Sequence, residues 1–263
     1  MSNILLIKTG ATLDPIIAGY GDFEDWFAAG LGAASVSLAE VYRQQSLPRL
    51  DSLAGDYDGI VITGSAAMVS DRADWSERAA AWLKQAVASG IPVLGVCYGH
   101  QLLAHALGGR VGANPRGRQI GTVRARLLPA AHGDPLLGFL PPEFTAQASH
   151  SEIVLALPRG AERLAVSPKD DNFALRFSEN AWGVQFHPEF SAAVTGEYIR
   201  LRADALRSEG LDPASLKNGL EETEQARAVL RQFLKIAAGE AAAGAHNRSV
   251  RPTARGAGSR SSA

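Results

Sequence analysis

The chain has 263 residues, 46% of them hydrophobic and 20% charged, with a formal net charge of −1. That length holds one good-sized α/β domain plus an extension, and a charge so near zero gives no general attraction to nucleic acid or to an anionic membrane surface. A single cysteine excludes an intramolecular disulfide and suits a reducing compartment; no apolar run approaches membrane-spanning length, and the opening run 3–8 is too short for a signal peptide, so a cytoplasmic protein is expected.

Residues 3–8 read as a buried strand. Apolar residues at helical spacing (Phe23, Trp26, Phe27, Leu31) predict a helix over 22–31, stopped by Gly32. Strands follow at 36–41 and 58–63, the second ending at Gly64-Ser65. Asp74-Trp75-Ser76-Glu77 has the pattern of a capping box, opening a helix that runs to Ser89 with Gly90 and Pro92 beyond. Residues 92–96 are a short apolar run of the kind buried on both faces of a parallel sheet, and 101–107 form a short helix stopped by Gly108-Gly109. Residues 111–114 and 119–128 alternate as strands of a hairpin or edge, and Arg116, Arg118, Arg124 and Arg126 read there as solvated edge charges. A strand at 144–148 leads into Ser149-His150-Ser151-Glu152. Residues 162–167, 173–178 and 182–187 predict a meander with turns at 168–172 and 179–180. The pattern over 190–207 is helical, Asp212-Pro213 opens another helix, and 221–236 is amphipathic. Residues 239–263 hold almost no bulky apolar side chains, cannot offset their ordering entropy, and are expected to be a disordered Ala/Gly/Ser/Arg tail. The expected organisation is a mostly parallel central sheet flanked by helices over 1–200, a helical extension over 201–238, and the tail.

Two stretches carry chemistry. In Gly95-Val96-Cys97-Tyr98-Gly99-His100-Gln101 the sole cysteine stands between a strand and a helix. A nucleophile at that junction sits on a tight turn that lifts its side chain off the sheet edge, as in the Gly-x-Ser-x-Gly elbow of hydrolases. Gly95 and Gly99 leave room for the turn, and the helix aims free N–H groups and its positive dipole end at the sulfur, which favours the reactive thiolate. A lone cysteine after a buried strand is also an ordinary core residue. The second stretch, Trp182-Gly183-Val184-Gln185-Phe186-His187-Pro188-Glu189-Phe190, lies about 90 residues downstream and decides for chemistry. Side chains at i and i+2 of an extended segment share a face, so Glu189 can reach the ring of His187, and Pro188, with no N–H, fits a strand end. Nucleophile, base and base-orienting group are the three parts of activated-nucleophile catalysis. His100 and His105 do not share a helix face, and the chain has no zinc, Walker or dinucleotide motif, so neither metal nor cofactor is expected.

With both motifs in this order, the chain resembles the class I (triad) glutamine amidotransferase family over residues 3–195, closest in wording to its GMP-synthase-like stand-alone members. The resemblance implies a flavodoxin-like α/β fold and hydrolysis of the side-chain amide of glutamine to glutamate and ammonia. It implies Cys97 as nucleophile, His187 as base and acid, and Glu189 as the group that orients His187. It also implies oxyanion donors at the N–H groups of Gly64 and Tyr98, Gln101 in the glutamine pocket, and His150 beside it. Gly64, Gln101 and His150 have plain structural readings too, as a turn glycine, a first-turn helix residue and a satisfied histidine. The chain has Ser65-Ala66 where many relatives carry a second glycine or a proline. The implied substrate is L-glutamine or another γ-glutamyl compound. No ATP-pyrophosphatase half follows as it does in GMP synthase, so the ammonia acceptor is expected on a separate synthetase chain. A γ-glutamyl peptide hydrolase with the same Cys-His-Glu triad is the alternative. A non-catalytic interaction module is a third reading, against which the intact set of three residues argues.

Overall fold

Segments made only of Ile, Leu, Val, Ala, Gly and Trp leave no polar face and must be covered on both sides. The computed structural model describes residues 2–32 and 34–240, so the expected tail lies, beyond Glu240, outside the described residues. The elements are β1 (Asn3–Lys8), α1 (Asp14–Tyr20), α2 (Phe23–Leu31), β2 (Ser35–Glu40), α3 (Leu53–Asp56), β3 (Gly59–Ile62), α4 (Asp74–Ala88), β4 (Val93–Val96), α5 (Tyr98–Ala106), β5 (Arg110–Ala113), β6 (Gln119–Leu127), β7 (Glu143–His150), β8 (Glu152–Ala156), β9 (Glu162–Ser167), β10 (Asp170–Ser178), β11 (Ala181–Val184), α6 (Ala192–Leu201), α7 (Ala203–Ser208), α8 (Pro213–Asn218) and α9 (Glu224–Ala237). Nine strands form one sheet in the order β2-β1-β3-β4-β11-β10-β9-β6-β7. The strands from β2 to β11 run parallel, and the remainder continue antiparallel. Strands β3, β4 and β11 are buried throughout. Alternate side chains feed two cores: Ile4, Leu6, Val61 and Leu94 meet Phe27, Leu230 and Phe233 on one face, and Leu5, Ile7, Ile60 and Val93 meet Leu83, Leu102 and Leu103 on the other. No helix among the described residues is long and apolar enough to cross a membrane.

Four expectations are corrected. Residues 111–114 and 119–128 do not pair with each other. β5 pairs with β8 in a separate two-stranded ribbon, while β6 pairs with β7 and β9. The turn in which the N–H groups of Arg116 and Gly117 donate to Asn114 sends the two strands apart. Asp74 does not cap α4: it is the first helical residue, where its carboxylate suits the helix dipole, and Glu77 is spent on Arg72 and His105. A capping box forms instead at Asp22 and Asp25 of α2. The helical stretch 190–207 breaks at Arg202 (φ −106°, ψ 14°) into α6 and α7. The third strand of the meander ends at Val184, so Gln185 to His187 lie beyond it.

The parallel half sets the functional rim. β1, β3, β4 and β11 end at Lys8, Ile62, Val96 and Val184, so Thr9, Gly64, Cys97 and His187 all follow carboxyl ends of neighbouring strands, where open α/β sheets bind ligands. Close approach of α5 to the sheet makes this possible. A Cβ on Gly95 would stand 2.4 Å from the Gly99 carbonyl oxygen and 2.7 Å from the His100 nitrogen, both backbone atoms. Gly95→Ala is therefore expected to lower the unfolding free energy by at least about 2 kcal/mol, the upper range for overpacking, as read from urea midpoints. Wild-type stability in that variant would show that α5 can move away from β4.

Candidate active site

Cys97 takes the chain from strand to helix within one residue. Its φ of 51° and ψ of −102° lie in the left-handed half of backbone space, where a side chain costs about 1–3 kcal/mol. The N–H of Cys97 donates to the Val184 carbonyl at 2.8 Å, and that of Gly99 to the Thr63 carbonyl at 3.2 Å. The elbow is thus clamped to β11 on one side and to the end of β3 on the other. The thiol is nearly buried.

His187 is held from three directions. Its N–H donates to the Gln147 carbonyl at 2.8 Å, Nδ1 lies 2.6 Å from Glu189 Oε1, and the ring of Phe190 stacks on it at 3.9 Å between centroids and 11° between planes. Burial alone would push the imidazole's pKa down. The carboxylate of Glu189 and the nearby sulfur of Cys97 outweigh burial and raise it to about 10. Nε2 has no hydrogen-bond partner among the described residues, and Glu189 is itself buried.

The rim closes around this trio. A Cβ on Gly64 would stand 2.8 Å from His187 Cε1, so only glycine fits beneath that ring. The N–H groups of Gly64 and Tyr98 donate to no protein acceptor among the described residues. The Tyr98 side chain points the other way, with its hydroxyl 2.6 Å from Ser76 Oγ and its ring stacked on Trp75. Gln101 Nε2 donates to the Glu152 carbonyl at 2.8 Å and to Gln185 Oε1 at 3.1 Å. His150 lies with Nδ1 3.1 Å from that same carbonyl and Nε2 3.3 Å from Gln119 Oε1; burial pushes its pKa down to about 4, so the ring is neutral. Cys97, Tyr98, Gln101, His150 and His187 line one cleft, with Ser149, Glu152, Arg118 and Arg202 opposite or beside them. Gly64 lies behind His187 and does not line it.

The family model for class-I glutamine amidotransferases matches residues 17–203. The chain belongs to that family. Over 145 residues it is 41% identical to a subunit of the glutamine-hydrolyzing GMP synthase of Natronomonas pharaonis, a stretch that makes up 55% of this chain and 72% of that one. A 141-residue match, 38% identical, to the glutamine-hydrolyzing GMP synthase of Thermomicrobium roseum takes in 54% of this chain and 25% of that longer one. The solved structure of a glutamine amidotransferase from Thermotoga maritima superposes with a TM-score of 0.70 at 23% identity, over 90% of this chain and 97% of that one, a likeness of fold.

This amidotransferase builds its rim with residues that the motifs do not name. Thr9 N–H donates to Thr63 Oγ1 at 3.1 Å, and the Thr9 hydroxyl lies 3.0 Å from the carbonyl oxygens of Thr63 and Gly64. Ser65 Oγ donates to the Thr9 carbonyl at 2.9 Å. A signal was available: both β1 and β3 are followed by Thr-Gly, at Thr9-Gly10 and Thr63-Gly64. Arg118 is not the solvated edge charge expected. Its side chain is 15% exposed, lines the cleft and pairs with Glu209, because β6 enters the sheet beside β9 and starts at the rim.

The raised pKa of His187 gives a titration of known sign. Its folded value lies above the ordinary 6.5, so the stability gained from the charged ring is complete below about pH 6.5 and is lost as pH climbs toward about 10. Ring-nitrogen shifts followed by NMR should report an imidazolium at about pH 7–8. In Glu189→Gln the titration should move down. An unmoved midpoint would show that Glu189 does not hold the charge.

Proposed function

We propose that this amidotransferase hydrolyses the side-chain amide of glutamine through a thioester on Cys97 and releases ammonia to an acceptor carried by another chain. The observation that supports this most is the left-handed elbow at Cys97 beside the buried His187–Glu189 pair. The imidazolium of His187 stabilises a Cys97 thiolate, which attacks the amide carbon. The carbonyl oxygen becomes an oxyanion, for which we assign the N–H of Tyr98 on the cleft wall and, on the family's pattern, that of Gly64 once the rim admits it, each worth about 3–4 kcal/mol at the transition state. His187 gives a proton to the leaving nitrogen, and ammonia departs. Water then attacks the γ-glutamyl thioester, His187 takes its proton, and glutamate and the thiolate are restored. Glu189 keeps the His187 ring in register and balances its charge. Gln101 and His150 shape the pocket from behind, because both meet the carbonyl of Glu152, which lines the cleft.

By analogy with the GMP synthase subunit of Natronomonas pharaonis, the acceptor chain is a synthetase. We place the reaction in the cytoplasm, where the single thiol stays reduced. One observation favours a second reading, hydrolysis of γ-glutamyl peptides by the same residues. A groove lined by Asn114, Arg116, Lys169 and Glu209 adjoins the cleft and shares Arg118 and Ser151 with it, leaving room for a larger substrate.

Cys97→Ala should abolish hydrolysis without unfolding the chain, and a γ-glutamyl chloromethyl ketone should alkylate that residue alone. His187→Ala should approach the same defect, while Glu189→Gln retains more activity because it disturbs orientation rather than removing the base. Alkylation at another residue, or full turnover in Cys97→Ala, would overturn the assignment. The acceptor is settled by assaying the purified chain on glutamine and on γ-glutamyl dipeptides, following ammonia and free amino acid. The amidotransferase reading expects glutamine to be at least as good a substrate in kcat/KM, with a rate that rises when a synthetase is added. A peptide preference above about tenfold, roughly 1.4 kcal/mol at the transition state, selects the peptidase reading.

A further inference from the structure

Two guanidinium groups line the catalytic cleft, those of Arg118 and Arg202. Arg118 is neutralised within the protein, its Nε and Nη2 donating to both carboxylate oxygens of Glu209 at 2.8 to 3.1 Å. Arg202 is half-buried and, among the described residues, has neither a salt-bridge partner nor a hydrogen bond from its side chain. The ring of Tyr198 lies beneath it, with its centroid 5.5 Å from the guanidinium carbon. Burial, and then the neighbouring Arg118 charge, act against its cation. A shielded cation without a counter-ion is costly to keep, so its placement points to an anion that arrives with the ligand.

Geometry sets which anion. Arg202 stands at the break between α6 and α7, at the end of a column of flat groups that begins with the catalytic pair. Phe190 stacks on His187, Tyr198 stacks on Phe190 at 5.2 Å and 16°, and the guanidinium follows Tyr198. The cation therefore lines the same cleft as Cys97, two rings along the column from the imidazole, on the side to which a bound amino acid would turn its charged end once its side-chain amide meets the sulfur. We propose that Arg202 anchors the α-carboxylate of the γ-glutamyl group and so selects substrates that carry a free one. This rests on the γ-glutamyl reading of the site given above, and it holds for glutamine and for γ-glutamyl peptides alike, since both carry that carboxylate.

The test uses the full chain and three electrophiles: a γ-glutamyl chloromethyl ketone, its α-methyl ester and iodoacetamide. Wild type should be alkylated at Cys97 by the free acid at least about tenfold faster than by the ester, relative to iodoacetamide. In Arg202→Gln the acid-to-ester ratio should fall to within about twofold, with Arg202→Lys intermediate, while the melting temperature does not fall; normalising each rate to iodoacetamide removes any general change in thiol reactivity. A merely structural Arg202 would instead lower the melting temperature of Arg202→Gln and slow acid and ester alike, leaving their ratio unchanged, and that outcome overturns the proposal. So does an undiminished preference for the acid in Arg202→Gln or Arg202→Lys, which leaves the Cys97 reading intact. Failure of the acid to label Cys97 in wild type overturns the γ-glutamyl reading and the proposal together.

Discussion

One backbone constraint governs the architecture: a residue with a side chain must hold φ 51° between β4 and α5. Such a conformation persists only where its surroundings over-determine it. Here β4 is sandwiched by β3 and β11 in register, and α5 is pressed so closely on β4 and β3 that Gly95 and Gly99 have no room for a Cβ. The strain is local, and its cost is spread over three fully buried parallel strands, β3, β4 and β11. What it yields is position: a sulfur lifted off the strand end, at the N-terminus of a helix whose first N–H groups have no intrahelical acceptor.

The histidine is held differently, by stacking. The column of His187, Phe190, Tyr198 and Arg202 runs from the rim into the C-terminal helices, and Phe23 and Trp26 of α2 pack against Phe190, the latter edge-on. The start of α2 is pinned in turn. Asp22 accepts from Thr12 and Phe23 N–H groups at 2.8 Å and pairs with Lys8 at 2.7 Å, and Lys8 is also within reach of Glu24. Lys8 is nearly fully buried at the end of β1, and despite burial these two carboxylates raise its pKa. A charge at a strand end thus locates a helix, the helix locates a phenyl ring, and the ring faces the imidazole. Burial of that ion network makes it a specifier of geometry more than a source of net stability.

The parts of the site that were legible in the sequence are those set within one short segment. Strand, elbow and helix around Cys97 follow from an apolar run meeting glycines, and the contact of His187 with Glu189 follows from the two-residue period of extended chain. What escaped are properties of pairing and of distance along the chain. Whether 111–114 joins 119–128 or 152–156 depends on how the turn at Asn114 aims the chain, which alternation alone does not encode. Asp74 has the right residue type for a cap but sits one position inside the helix, where boundaries are hardest to place. Arg118 and Arg202 are far apart in sequence and neither stands in a motif; only the closure of β6 and the α6–α7 break brings them to one cleft. His100 shows the converse: it stands inside the nucleophile motif, yet it is buried away from the cleft against Phe177 and Gly183, where burial pushes its pKa down to about 3 and leaves it an uncharged packing residue.

Charge accounting ties these pieces to the proposed reaction. In the proposed cycle the attacking thiolate, the His187 imidazolium and the Glu189 carboxylate sum to one negative charge, and Arg202, a cation without a counter-ion among the described residues, lines the same cleft. When the thioester forms, the sulfur loses its charge and the imidazolium proton has gone to the leaving nitrogen, so the carboxylate of Glu189 again stands alone beside a neutral ring. The α-carboxylate of the bound γ-glutamyl group then occupies Arg202. The carboxylate that arrives with the substrate thus meets the cation left without a counter-ion, which a low-dielectric site favours because an isolated ion there costs several kcal/mol. A substrate amide without a carboxylate would enter the same cleft, meet the same sulfur, and leave Arg202 desolvated and unpaired; its rejection follows from that penalty rather than from any lost contact with Cys97.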